Sequence, residues 1–390
     1  MTRFVSGYIE GYYGRLFSFE ERTGIVRKLR EIKATHYLYA PKEDPWHRQE
    51  WRKPYPADWR KQFKDFVSQS RKAGVHVVPG LAPGLSYRYR SDEDFEALVR
   101  KLSSLVELGC EEAALLMDDI SEELPKADKG HFRSLGEAHG LMLKKLWPRL
   151  SRLGIRRLWF CPTVYSDFFA PKGVAKNRYL KDLSRHLTPF IHVMWTGPAI
   201  VSKRLAPADL REVNRVLGRQ TVLWDNFYAN DYCPGKIFLG PFAQRPASLR
   251  QASAGILLNP TGLYQTDLFL LNLLGGFLRG KSSDGVWKKT LRDWQVPSSF
   301  LEIARFLASP FELSVPASGA VKKLRKALKP LIWEWKSPLQ REWYPYLYAL
   351  DADLRLLSPA DEKPDAAWIR KKYSPILSKM LLASVSPNMR

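Results

Sequence analysis

Two aspartates in succession, Asp118-Asp119, follow the apolar run Ala113-Ala114-Leu115-Leu116-Met117. Carboxylates held side by side cannot both ionise freely, so one is pushed toward its protonated form and can serve as an acid. Such a pair can equally cap a helix or a turn, and its surroundings decide between the two. Adjacent carboxylates do not suit an ordinary retaining glycosidase, whose pair stands about 5–5.5 Å apart on opposite sides of the sugar. They do suit a substrate that brings its own nucleophile. A 2-acetamido group can offer its carbonyl oxygen, leaving one Asp to orient the amide N–H and its neighbour to protonate the leaving oxygen. Metal chemistry is the competitor. His47 has no second histidine at ligand spacing, and His76, His131, His139 and His186 fall inside predicted elements, so the pattern suggests neither a metal site nor a cofactor.

The elements that must position this pair alternate strand and helix. Short apolar and aromatic runs predict eight strands, at Phe4–Ile9, Thr35–Ala40, Val75–Pro79, Ala113–Met117, Arg157–Phe160, His192–Trp195, Thr221–Trp224 and Gly255–Leu258. Helical periodicity fills the gaps at Phe19–Lys33, Ala57–Lys72, Asp92–Leu108, His131–Leu153, Tyr179–Leu187 and Pro207–Leu217. The last gap, Asn230–Ser253, carries Pro234, Gly235, Gly240 and Pro241, so any helix there must be short or irregular. This rhythm fits an α/β chain with a (β/α)8 TIM barrel over residues 1–280 better than a doubly wound sheet. After a loop at GKSSDG, Pro-interrupted helical segments predict a smaller all-helical C-terminal domain over residues 281–390.

In a (β/α)8 barrel the chemistry sits where the strands end. Here those ends are polar and aromatic: Gly7 to Gly11, Pro41-Lys42-Glu43-Asp44, Asp118-Asp119, Cys161 to Tyr165, Trp195-Thr196-Gly197, Trp224-Asp225-Asn226 and Asn259-Pro260. Trp195, Trp224, Tyr165 and Tyr12-Tyr13 could wall a sugar pocket, with Cys161 as a small wall residue.

Composition bounds the rest. With 390 residues, 45% hydrophobic and 26% charged, the chain has material for a core and perhaps two domains, and is neither disordered nor low-complexity. Three scattered cysteines, without CxxC spacing, indicate no disulfide framework and suit a reducing compartment. The start MTRFVSGYIEG has no apolar segment of secretory length, and the longest apolar stretch, Leu268–Leu278, is too short for a span. A soluble, cytoplasmic protein without membrane contact is expected. Lys and Arg outnumber Asp and Glu by 62 to 40, a formal +22 that could attract an anionic polymer. The charge is spread along the chain, and the run Lys322-Lys323-Leu324-Arg325-Lys326 reads first as the solvated face of an amphipathic helix. Nothing in the sequence indicates an oligomeric state.

The strand-end segments resemble, in order, those of glycoside hydrolase family 84, the protein O-GlcNAcases and related bacterial β-N-acetylglucosaminidases. They are GYIEGYYGR, YLYAPKEDPWHR, ALLMDDI, FCPTVY, WTGPAIVSK, LWDNFYANDY, FLGPF and GILLNP. The resemblance implies a catalytic barrel that cleaves terminal β-linked GlcNAc from glycoproteins or glycans with retention, through an oxazoline intermediate. It assigns Asp118 to the acetamido N–H and Asp119 to general acid, then general base. It places Asn226 at the acetamido group, Tyr165, Thr196, Trp224 and Cys161 around its methyl, and Asp231 on the 4- and 6-hydroxyls. Gly7 (through its carbonyl), Lys42 and Asn259 fall on the 3-hydroxyl side. Two departures stand out: Thr261-Gly262 where the family often has another Asn, and Pro45-Trp46 in the loop after the second strand, which could narrow the cleft or stack on an aglycone. Two other readings compete: a non-hydrolytic protein that binds GlcNAc or an anionic polymer, and a lyase or hyaluronidase-like hydrolase acting on an acidic polysaccharide.

Overall fold

The structure, a computed structural model, describes residues 4–311 and 316–356. Eight parallel strands form a closed barrel in sequence order: β1 (Val5–Glu10), β2 (His36–Tyr39), β3 (His76–Leu81), β4 (Glu112–Leu116), β5 (Arg157–Cys161), β6 (Ile191–Trp195), β7 (Val222–Asp225) and β8 (Gly255–Leu258). The strands are buried almost throughout, which is why they read as short apolar runs rather than as alternating patterns. β1 closes the ring on β8 with Val5 opposite Gly255, where a Cβ at Gly255 would strike Val5.

The barrel helices are α1 (Phe19–Glu31), α2 (Ala57–Lys72), α3 (Asp92–Glu107), α4 (Leu135–Arg152), α5 (Arg178–Ser184), α6 (Pro207–Leu217) and the single turn α7 (Leu249–Ala252). Their starts follow local chemistry. Ser18 and Glu21 form a capping box on α1, and Ser91 and Ser134 accept from the first-turn amides of α3 and α4. The cap at Ser134 is why α4 begins at Leu135 rather than at His131. Pro207 opens α6, and Gly218 closes it in a left-handed conformation.

The described chain divides into two compact units. The first holds all eight strands and α1 to α7, running to Asn226 and resuming at Gln244–Asn259. The second joins Phe227–Ala243 to the segment from Pro260 onward. Its helices are α8 (Tyr264–Leu278), α9 (Ser283–Asp293), α10 (Phe300–Ile303), α11 (Val321–Lys329) and α12 (Pro338–Leu356). Within this second unit α8 packs against α9 and α12. GKSSDG is not wholly a loop: Ser282 caps α9, which takes in Ser283-Asp284-Gly285. The apolar stretch at Leu268–Leu278 lies in α8, and no described helix is long and apolar enough to cross a membrane. α11 buries Val321, Leu324 and Leu328, while Lys323 pairs with Glu302 and Arg325 with Asp351, as an amphipathic helix with a charged face requires. Residues 357–390 of the expected C-terminal domain lie outside the described residues.

Candidate active site

β4 ends at Leu116, and Met117 extends its ladder by donating to the Cys161 carbonyl at 2.8 Å. The aspartate pair follows at once. Asp119 takes a left-handed backbone conformation (φ 54°), which Asp tolerates better than most residues because its short polar side chain can bond locally. The chain turns there, and the two neighbouring carboxylates acquire different surroundings. Asp118 is mostly buried, and its Oδ2 accepts from Lys42 Nζ at 2.6 Å; Asp119 is more open and has Lys42 Nζ at 3.7 Å. Lys42 itself is buried in the loop after β2. Burial alone would lower its pKa, but the charges of Asp118 and then Asp119 outweigh that and hold it above the ordinary lysine range. The two like charges do not stand alone, because one buried ammonium lies against both.

The remaining lone pairs separate the roles further. Asp118 Oδ1 is buried and has no hydrogen-bond partner among the described residues. A buried carboxylate oxygen left open in this way is costly unless a ligand fills it. Asp119 instead accepts from two phenols, Tyr13 Oη on Oδ2 at 2.8 Å and Tyr165 Oη on Oδ1 at 3.1 Å. Tyr165 is otherwise buried, and its phenol is pushed up, first by burial and then by Asp119.

A second group lies at the ends of β7 and β8. Asn226 Oδ1 accepts from Trp224 Nε1 at 2.8 Å and from Asn259 Nδ2 at 2.9 Å, and Asn226 Nδ2 donates to the Ile200 carbonyl at 2.9 Å. Among the described residues, one N–H of Asn226 is left for a ligand and Asn259 Oδ1 is buried without a partner. Trp224, Tyr165 and Cys161 share one hydrophobic cluster, which joins this group to the aspartate side. The Cys161 thiol is driven well up by burial and then by Asp118, so it is a neutral wall residue, not a nucleophile. Thr196 is buried and spends its hydroxyl on the Ala199 carbonyl at 2.9 Å, while its amide donates to the Tyr165 carbonyl at 2.8 Å; it shapes the pocket through the backbone turn.

The other expected residues have surroundings of their own. Gly7 lies inside β1, opposite His36 and Leu257, where a Cβ would run into the His36 carbonyl. Asp231 belongs to the second unit and accepts from the Tyr232 amide at 2.9 Å. Trp195 and Tyr12 are fully buried core residues rather than pocket walls. Trp46 leans beside Tyr55, with ring centroids 6.4 Å apart, toward the aromatic stack that Tyr55 forms with Trp59. Within the second unit, Thr261 and Gly262 bond to Asp267 in the first turn of α8, so this departure serves that helix. His47 is buried with Nδ1 at 2.9 Å from the Gly80 carbonyl.

Several positioning residues were not legible in sequence. Glu10 is buried, and Arg22 reaches both its oxygens at 2.9 Å while Tyr37 Oη donates at 2.6 Å, tying the end of β1 to α1 and β2. Arg245 grips Asp225 at 2.8 and 2.9 Å and also donates to the Ser202 and Lys203 carbonyls, fixing the loop after β6 beside the end of β7. Arg48, whose spacing carries no signal, donates to Tyr13 Oη.

A carboxylate pair just past a strand end of a (β/α)8 barrel, with one buried ammonium against both, defines a barrel site built for acid–base chemistry. The comparisons with known proteins narrow that class. A family model described as β-N-acetylglucosaminidase matches residues 6–306, and the chain belongs to that family. The protein O-GlcNAcases of Rattus norvegicus and Mus musculus are each 33% identical to it over 286 residues, 73% of this chain and 31% of theirs. The chain thus spans about a third of the length of these curated relatives. Among solved structures, a mutant of the Thermobaculum terrenum O-GlcNAc hydrolase shares the fold with a TM-score of 0.78 and 23% identity, over 99% of this chain and 90% of that one.

Proposed function

We propose that this chain is a retaining exo-β-N-acetylglucosaminidase that needs no cofactor and releases terminal β-linked GlcNAc from glycoproteins or glycans. The observation that carries the reading is the buried, unpartnered Asp118 Oδ1 beside an Asp119 held in a different environment. In the first step, the acetamido oxygen attacks C1 while its N–H donates to Asp118. The C1–O bond breaks, and the leaving oxygen takes the proton of Asp119, giving an oxazoline. In the second, water attacks C1 and gives a proton to Asp119, while the bond between C1 and the acetamido oxygen breaks, its electron pair returns to that oxygen, and the N–H held at Asp118 restores the acetamido group. Asn226 and Asn259 suit the sugar's polar edge, and Trp224, Tyr165 and Cys161 suit the acetamido methyl. By resemblance to the family's motifs, Lys42 and the Gly7 carbonyl are proposed for the 3-hydroxyl side, Thr196 for the acetamido methyl and Asp231 for the 4- and 6-hydroxyls. The barrel of residues 1–280 is the proposed catalytic domain and residues 281–390 the helical one. Buried free Cys110 and Cys161 suit a reducing, cytoplasmic setting.

The test is hydrolysis of an aryl β-N-acetylglucosaminide beside the matching β-glucoside, by wild type and by Asp118→Asn. Turnover confined to the acetamido sugar, falling by roughly 10²- to 10⁴-fold in the variant, is expected. Turnover of the plain glucoside, or an Asp118→Asn enzyme near wild type, would discard the assisted mechanism. Binding of GlcNAc without turnover would favour the binding-protein reading. Faster cleavage of a long acidic polymer than of a short neutral glycan would give the +22 charge a substrate of its own.

A further inference from the structure

Asp119 has two oxygens in unequal positions. Oδ2 accepts from Tyr13 Oη at 2.8 Å, and the same phenol oxygen accepts from Arg48 Nη1 at 2.8 Å. A guanidinium has no acceptor, so the Tyr13 hydroxyl must spend a lone pair on Arg48 and aim its proton at Asp119. Lys42 Nζ, at 3.7 Å, reinforces the negative character of the same oxygen. The Tyr13 ring is itself flanked by two cations, Lys42 Nζ at 5.7 Å and the Arg48 guanidinium at 5.4 Å from its centre, which fixes where the hydroxyl sits. Burial first of all keeps that phenol protonated, with Lys42 opposing and Asp119 assisting. Oδ1 meets a different group: Tyr165 Oη at 3.1 Å, with no cation among the described residues donating to that hydroxyl. Tyr165 is free to reverse from donor to acceptor.

We propose that Tyr13, oriented by Arg48, is a positioning residue for the acid–base: it holds Oδ2 of Asp119 as a fixed acceptor, so that Oδ1 carries the proton delivered to the leaving group. When the C1–O bond breaks, that proton passes from Oδ1 to the departing oxygen, and Oδ1 later takes one from the attacking water. Throughout, Tyr13 keeps its own proton and the carboxylate plane stays fixed. The inference rests on Asp119 being the acid–base.

The experiment compares kcat/KM for an activated dinitrophenyl β-N-acetylglucosaminide with that for an alkyl one, in wild type, Tyr13→Phe, Arg48→Met, the double variant and Asp119→Ala. An activated leaving group needs no proton, so loss of acid positioning is seen only on the poor one. Tyr13→Phe is expected to lose roughly tenfold on the alkyl substrate and under about twofold on the activated one, the scale of one hydrogen bond to a charged group. The inhibition constant of free GlcNAc should not move. Arg48→Met should show the same selective loss, Arg48→Lys should recover part of it, and the double variant should be no worse than Tyr13→Phe, because Arg48 acts through the phenol. Equal losses on both substrates, or weakened GlcNAc binding, would make Tyr13 a structural residue and overturn the inference. Full additivity in the double variant would overturn the relay from Arg48. Asp119→Ala separates the two levels: if its own loss ignores the leaving group, the acid–base assignment fails and the inference falls with it. If only the Tyr13 and Arg48 variants ignore the leaving group, the inference alone fails.

Discussion

Asn226 is the residue on which the β7–β8 side of the site depends, because its one carbonyl oxygen accepts from both Trp224 Nε1 and Asn259 Nδ2. Asn226→Ala would leave two donors without that acceptor at once, a loss of about 1–3 kcal/mol for each buried donor that finds no substitute. Asn259→Ala leaves Asn226 its bond from Trp224, so its cost in a urea unfolding series should be clearly smaller. Equal costs would mean that Asn226 is not the hub. Both amides were legible as strand-end residues in the segments that resemble the family, but their mutual bonding was not, because they lie on different strands. The aspartate pair was legible for the opposite reason: its members are neighbours in sequence. What the sequence could not supply was the cation between them, since Lys42 stands 76 positions before Asp118 and only barrel closure brings it within 2.6 Å. The same holds for Tyr13 and Arg48, whose role depends on which oxygen of Asp119 each phenol reaches.

At the level of elements, the ends of β6 and β7 are registered by a single buried ion pair. Arg245 and Asp225 are almost fully inaccessible, and the guanidinium also satisfies the Ser202 and Lys203 carbonyls. Removing one partner strands a charge that the fold has already desolvated. Arg245→Met is therefore expected to cost about 3–5 kcal/mol, with the double variant Asp225→Leu/Arg245→Met clearly less destabilised than the single one. A thermal unfolding series on the three proteins decides the point: a double variant as unstable as Arg245→Met would show that the carbonyl contacts, not the ion pair, hold the loop. The strands were readable because a parallel sheet covered on both faces writes itself as apolar runs, and the helices because Ser and Pro mark their first turns. The Asn230–Ser253 segment was readable only as irregular. Its structure depends on long-range bonds such as that of Arg245 to Asp225, for which spacing carries no signal. α8 has a barrel helix's place in the sequence, yet within the second unit it packs with α9 and α12, contacts that periodicity does not announce.

For the molecule as a whole, the buried histidines of the first unit set how stability responds to acid. His47 and His139 are fully buried, and burial lowers each to about 3; His192 is lowered to about 4, again mainly by burial. An unfolded histidine titrates near 6.5. Between that value and the folded ones, the unfolded chain binds protons that the folded chain refuses, so stability falls as pH falls, by up to about 1.4 kcal/mol per pH unit for each histidine. Above pH 7 these groups are neutral in both states and contribute no slope. Glu112 adds to the loss at lower pH. Burial opposes its ionisation, but His36, Trp159 and Arg157 together hold it at about 2, so the stability it contributes is present above the ordinary carboxylate range and is lost as pH falls toward 2. The urea midpoint should therefore be flat from pH 8 to 7, decline from about 6.5, and steepen below about 4.5. In His47→Gln the decline between pH 6.5 and 4.5 should be shallower than in wild type, even if the variant is less stable at pH 7.5 for want of the bond to the Gly80 carbonyl. A variant that kept the full slope would show that His47 takes up its proton in the folded chain as readily as in the unfolded one, and would leave the acid response to the other buried histidines, His139 and His192.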